Sequence, residues 1–367
     1  MTHNLWLKTR KHSIILSTLL FIYSLPATAD SVDSLIVDIM DKRHIPGLQL
    51  AIVKNGEIIK QGNYGLSNFQ DNVPVKVNTL FPINSMTKAF TGVALIQLVE
   101  QGHLSLDDQI GKHLTDIPAS WKSMKIKHLM AHTSGLPEIL SGYQADLLVR
   151  GNPDASWEKV KELPVRFEEN TQFDYNQTGY VIIGKIIDKY VKGGFQKFIT
   201  DNQLKIVDMQ LTATAGFEHM ARPIANQARQ YLYDCSKGEH RNFYGEFPYI
   251  MQTAAGMSST ATEIAHYLVA LQEGKLIKNL NSLWTPVTLK NNQTAGFNDF
   301  ENGYAMGWQV INRENHSAIS ASGGNAVTMI YYPEDKLSIV VLTNLLGGLP
   351  IQFVDQIAAE YIPGFQF

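Results

Sequence analysis

The chain has 367 residues, is 44% hydrophobic and 18% charged, and sets 31 Lys plus Arg against 34 Asp plus Glu. This composition excludes a disordered chain and a basic nucleic-acid binder, and the lone Cys235 excludes a disulfide scaffold. A globular chain remains, long enough for one large domain or two intertwined ones.

Residues 1–12 carry Lys8, Arg10 and Lys11 without an acidic residue. An apolar run over 14–25 and the small residues Ala27, Thr28 and Ala29 follow, predicting a cleaved export signal over 1–29. The run is about a dozen residues against the roughly 20 that span a bilayer, so no stable membrane anchor is expected after cleavage. The working chain, 30–367, then has 338 residues and a net charge of -6 in a periplasmic or secreted setting.

Residues 48–54 and 57–64 read as strands joined at Asn55-Gly56, a pair that tolerates the positive φ of a tight hairpin. Residues 87–101 have helical spacing, with Phe90, Val93, Ala94, Leu98 and Val99 on one stripe ending at Gly102. Residues 179–190 and 262–273 read the same way. Strands are predicted again at 307–312, 326–332 and 337–343, the last two joined by a turn at 333–336, and 352–361 has the spacing of a covering helix. Sheet strands from both chain ends with helices between them give an α/β fold with an inserted all-α region. The α/β part spans roughly 30–84 and 262–367, the helical part roughly 85–261. Loops over 140–152, 233–248 and 290–302 are expected to shape a cleft.

Three segments carry candidate chemistry. Ser85 opens the most apolar helix, and Lys88, three residues on, shares its face. The amide of a serine in a first helical turn is free to donate to an oxyanion, and a lysine there can take its hydroxyl proton. Ser156 and Lys159 repeat the Ser-x-x-Lys spacing, but in a charged segment that reads as an exposed helix start. Tyr175 lies in a turn before the helix at 179–190, where a phenol near a cation can act as a base. Ser320-Ala321-Ser322-Gly323-Gly324-Asn325 lies between strands, and its paired glycines permit close backbone approach. His128 and His132 have metal-ligand spacing on one predicted helical face. A His-Glu-x-x-His zinc hydrolase needs Glu where Leu129 stands, so neither a metal nor another cofactor is expected.

The order of several phrases resembles the serine β-lactamase and penicillin-binding protein superfamily, in its class C branch with related esterases and D-aminopeptidases. These phrases are Asn84-Ser85-Met86-Thr87-Lys88, the segment His128 to Pro137, Ala254-Ala255-Gly256-Met257-Ser258-Ser259-Thr260 and Gly307-Trp308. The resemblance covers about residues 36–361. It implies a β-lactamase/transpeptidase-like fold, an antiparallel sheet flanked by helices, and a structural role for the two histidines. It also implies acylation of Ser85, with Lys88 as its proton partner and Tyr175 as general base. The backbone amides of Ser85 and Gly324 would form the oxyanion hole, and Gln177, Ser322 and Gly323 would meet a small-molecule or peptidoglycan-derived substrate.

Two positions depart from the pattern. Gln177 stands where the family has Asn. Ala321 stands where it has Lys or His, which removes a cation that favours the ionised phenol and attracts substrate carboxylates. A charge-assisted contact of about 1.5–3 kcal/mol is lost with it. His316, five residues upstream, would restore the charge only under a favourable register. The expected activity is ester or amide hydrolysis with weak or absent β-lactamase activity. The alternative is a catalytically impaired binding protein for cell-wall peptide or a partner.

Overall fold

The computed structural model describes residues 1, 31–141, 146–217, 223–245 and 248–366. The expected leader over 1–29, Met1 apart, and Asp30 lie outside the described residues. A helix that the sequence reading did not foresee, α1 (Ser31–Arg43), comes first. It leads into β1 (Gly47–Lys54), which turns at Asn55-Gly56, both at positive φ of 54° and 84°, into β2 (Glu57–Asn68). A short β3 (Val73–Pro74) completes this edge. The nucleophile candidate precedes α2 (Thr87–Glu100); α3 (Thr178–Tyr190) and α4 (Ala261–Gln272) follow. The second set of strands is β4 (Gly303–Tyr304), β5 (Gln309–Ile311), β6 (Ala318–Gly323), β7 (Val327–Tyr332) and β8 (Leu337–Thr343), after which α5 (Val354–Ala359) returns across the sheet.

These strands form one antiparallel sheet in the order β4-β5-β6-β7-β8-β1-β2-β3. The two chain ends meet at its centre, where β1 pairs with β8 through Leu50↔Val341 and Ile52↔Ile339. That position explains the apolar run 50–53 of β1: both of its faces are covered, so no polar alternation is needed, and the buried Gln49 before it donates from Nε2 to Lys76 O at 2.7 Å. On one face Ala51, Val53, Met329 and Val340 pack with Phe90, Val93 and Leu268 of the helical region. On the other, Leu50, Ile52, Ile339 and Val341 pack with Val32, Ile36 and Ile39 of α1 and Val354 and Ile357 of α5. Each fully buried aliphatic side chain contributes about 1.5–3 kcal/mol relative to exposure. The two covering helices touch end to end, with Ser31 Oγ donating to Glu360 Oε2 at 2.6 Å.

Among the described residues, no helix is long and apolar enough to cross a membrane. The segment read as a cleft loop at 233–248 is in part a hairpin, Gln230–Asp234 with Glu239–Phe243, whose exposed turn carries Cys235. None of its described residues lines the main cavity. Ser156 does not start a helix: Asn152 caps Pro153–Lys161 by accepting the Ala155 amide, and the buried Ser156 hydroxyl donates to Asn152 O. The segment is an ordinary capped surface helix, with Lys159 paired to Glu162.

Candidate active site

The floor of the site is set by glycines. Ser85 sits in a 3-10 turn, Asn84–Met86, that runs directly into α2. The end of β6 lies so close to this turn that a Cβ on Gly323 would fall 2.1 Å from Ile83 O and 2.9 Å from Ser85 N. Gly307 has φ +85°, and a Cβ there would lie 2.3 Å from Lys88 O. Only residues without a Cβ let the sheet and α2 approach to this distance, and the approach holds Ser85 and Lys88 against the strand edge.

Lys88 is 1% exposed in a helix buried nearly all round. Taking an ammonium out of water costs several kcal/mol unless it is partnered. Here Nζ donates to Ala254 O at 2.9 Å and lies 3.4 Å from Ser85 Oγ. It also sits 4.9 Å from the ring centroid of Tyr175 and 5.0 Å from that of Tyr180, within reach of a cation–π attraction. The structure therefore brings Ser85 and Lys88, from the turn and the first turn of α2, together with Tyr175 from the distant segment before α3.

His132 packs under Tyr175, with ring centroids 4.4 Å apart, and is ringed by Phe173, Tyr180 and Tyr304. Burial first, and then the Lys88 charge, hold its pKa well below the usual value, so the ring is neutral. Nδ1 accepts the Asn176 amide at 3.0 Å, which leaves the proton on Nε2. The shared helical face expected for the two histidines is not formed. The helix stops at Met130 and His132 takes φ +59°, while His128 Nδ1 meets Glu169 Oε1 at 2.7 Å. The two rings serve different partners, which is a structural use and not a metal pair.

Ser85 and Tyr175 open onto a cavity of about 660 Å³, also lined by Ala321, Ser322, Gly323 and Gly324. Ser322 Oγ lies 2.9 Å from Thr328 Oγ1, and Gly324 turns out of β6 at φ +59°. Gln177 is not among the lining residues: it is 8% exposed, and its backbone N–H donates to Glu138 Oε2 at 2.9 Å. Ala321, opposite Met329 in the sheet, leaves the lining uncharged at that point. His316 does not replace the missing cation, because its Nδ1 pairs with Asp335 at 2.8 Å outside the cavity lining.

The loop at 290–302 does shape the cavity, through Phe297, Asn298, Phe300 and Glu301. Glu301 and Tyr304 escaped the sequence reading. Glu301 is 8% exposed; burial raises its pKa, opposed by a hydrogen bond from Asn298, and Oε1 has no partner. Tyr304 is buried, and burial followed by the neighbouring Tyr180 and Tyr175 pushes its phenol well above its usual value.

A family model described as Beta-lactamase matches residues 32–360. Among curated relatives, Protein flp of Staphylococcus aureus (strain MW2) is 27% identical over 338 residues, covering 90% of this chain and 66% of that protein. Penicillin-binding protein 4* of Bacillus subtilis (strain 168) is 26% identical over 343 residues, covering 88% and 73%. The chain thus spans just under two thirds of the first relative's length. Among solved structures, the D-amino acid amidase from Ochrobactrum anthropi SV3 complexed with L-phenylalanine superposes with a TM-score of 0.73 at 20% identity. The superposition covers 89% of this chain and 98% of that one.

Proposed function

Because the chain belongs to the beta-lactamase family, we propose that it is an exported serine hydrolase acting on esters or amides through an acyl-enzyme at Ser85. The observation that carries this reading is Lys88 Nζ, buried and 3.4 Å from Ser85 Oγ at the edge of a substrate-sized cavity. In the first step Ser85 Oγ bonds to the substrate carbonyl carbon while its proton passes to the Lys88–Tyr175 pair. The resulting oxyanion is met by the amides of Ser85 and Gly324. Collapse of this intermediate breaks the bond to the leaving group, which receives the proton. Water, deprotonated by the same pair, then attacks the acyl carbon, releases the acid and returns the proton to Ser85.

Weak or absent β-lactamase activity follows from Ala321, since no cation stands there to hold a carboxylate. The same vacancy of charge favours a second reading, an impaired member that binds cell-wall peptide or a partner without turning it over. Fluorophosphonate and fluorescent penicillin probes, with the adduct mapped by mass spectrometry, separate the two. Labelling of Ser85 by the phosphonate and not the penicillin is expected, with loss of signal in Ser85→Ala. A folded protein that neither probe labels at Ser85 sinks the hydrolase reading. Export predicts an intact mass beginning at Asp30 for the protein recovered outside the cytoplasm.

A further inference from the structure

We propose that Glu301 makes the cleft select substrates carrying an ammonium group and turn away those carrying a carboxylate. The inference deepens the hydrolase reading and rests on it for the catalytic part of its test. Among the described residues, those lining the cavity include two carboxylates, Glu301 and Asp355, and no Lys, Arg or His. Asp355 is already satisfied, by Arg313 Nη1 at 2.7 Å and by Tyr332 Oη at 2.5 Å. Lys88 is engaged by Ala254 and Ser85. Glu301 is different. It is more than nine-tenths buried, and Oε1 has no hydrogen-bond partner.

A buried acceptor left unmet is costly, so its retention in a substrate-sized cavity calls for a partner that arrives with the ligand. Aromatic residues beside it name the chemistry of that partner. Phe297, Phe300 and Tyr304 line the same cavity, and the Phe297 ring lies 5.1 Å from Tyr175 and 6.0 Å from Tyr304. A carboxylate that shares a cavity with aromatic rings suits an ammonium, to which an ion pair and a cation–π attraction are open together. Burial disfavours the ionised form of Glu301 in the empty site, and an entering cation reverses that preference. A carboxylate entering the same space keeps Glu301 from ionising and finds no Lys, Arg or His among the described lining residues to pair with. Charge at Glu301 thus acts in the same direction as the loss of charge at Ala321.

The test reads binding and turnover separately. Benzylammonium and phenylacetate are titrated into folded Ser85→Ala protein and followed by NMR. The phenolic acetate esters of 4-(aminomethyl)phenol and of 4-hydroxyphenylacetate, identical in acyl group and opposite in leaving-group charge, are given to the protein with Ser85 intact. The cation is expected to bind more tightly than the anion, and the aminomethyl ester to have the higher kcat/KM. Glu301→Gln should reduce each preference about tenfold, the scale of one charge-assisted contact, while Glu301→Asp should keep most of it. Equal affinity for the two probes, or a preference unmoved in Glu301→Gln, overturns the proposal. Cation binding through Glu301 in a protein that neither hydrolyses these esters nor is labelled at Ser85 by the fluorophosphonate supports it and removes the hydrolase reading. Turnover with no charge preference does the reverse.

Discussion

At the scale of single residues, Ala321 and His132 make the most direct claims. Ala321 lines the cavity two residues before Gly323, the β6 residue that meets the Ser85 turn, so Ala321→Lys would supply a cation where a β-lactam carboxylate is expected. Its acylation by fluorescent penicillin should rise at least about tenfold, the worth of one charge-assisted contact, measured as the rate of gel-resolved labelling. An unchanged rate would mean that the carboxylate is not the missing anchor. His132 makes a claim about pH. Its folded pKa is depressed, chiefly by burial, so below about pH 6.5 the unfolded chain takes a proton that the folded chain refuses. Stability should therefore fall as pH drops from about 6.5, by up to about 1.4 kcal/mol per pH unit from this group alone. Urea unfolding at pH 7 and pH 5 measures the slope, and His132→Gln should make it shallower.

At the scale of elements, the contact between β6 and the turn before α2 decides whether the site exists. Gly323→Ala places a methyl group 2.1 Å from Ile83 O, so backbone must move. Overpacking of this kind costs about 1–3 kcal/mol. Because the displaced turn carries Ser85 N, phosphonate labelling should fall more steeply than the melting temperature does. A variant that melts early but labels normally would show that the contact serves stability only. Elements of this region were unequally legible in the sequence. Asn55-Gly56 announced its hairpin because only a few residue types accept positive φ. Ser85 and Lys88 stood out because their spacing coincided with the start of an apolar helix. The helix through His128 stops short of His132, and no local signal marks that stop. Gln177 occupies a familiar position in a motif, yet the residue is buried and does not line the cavity. Glu301 was illegible for a different reason: a single acid in an irregular loop becomes notable only when tertiary packing removes its solvent. Helix α1 lay hidden because its apolar positions follow directly on a leader-like stretch, and many of its partners, on β8 and α5, are distant in sequence.

At the scale of the whole molecule, the sheet joins strands from the two halves of the chain, with β8 beside β1 and each face sealed by a separate apolar cluster. The cavity sits at the margin of this construction, where β6, the turn before α2 and the loop at 290–302 converge. Neither half of the chain completes it alone. The contact between Ser31 and Glu360 has a consequence of its own. It brings the first described helix and the end of α5 within hydrogen-bond distance, so the order in which the parts between them are synthesised is not what holds them together. A short flexible linker from the C-terminal segment to Ser31, with new ends opened between Lys237 and Gly238 in the exposed hairpin turn, should give a circular permutant with the same sheet. Because closure entropy grows slowly with loop length, its stability should lie within about 2 kcal/mol of the parent, with Ser85 still labelled by a fluorophosphonate. The reactive serine would then depend on how the sheet and the turn before α2 pack, and not on which of these segments comes first.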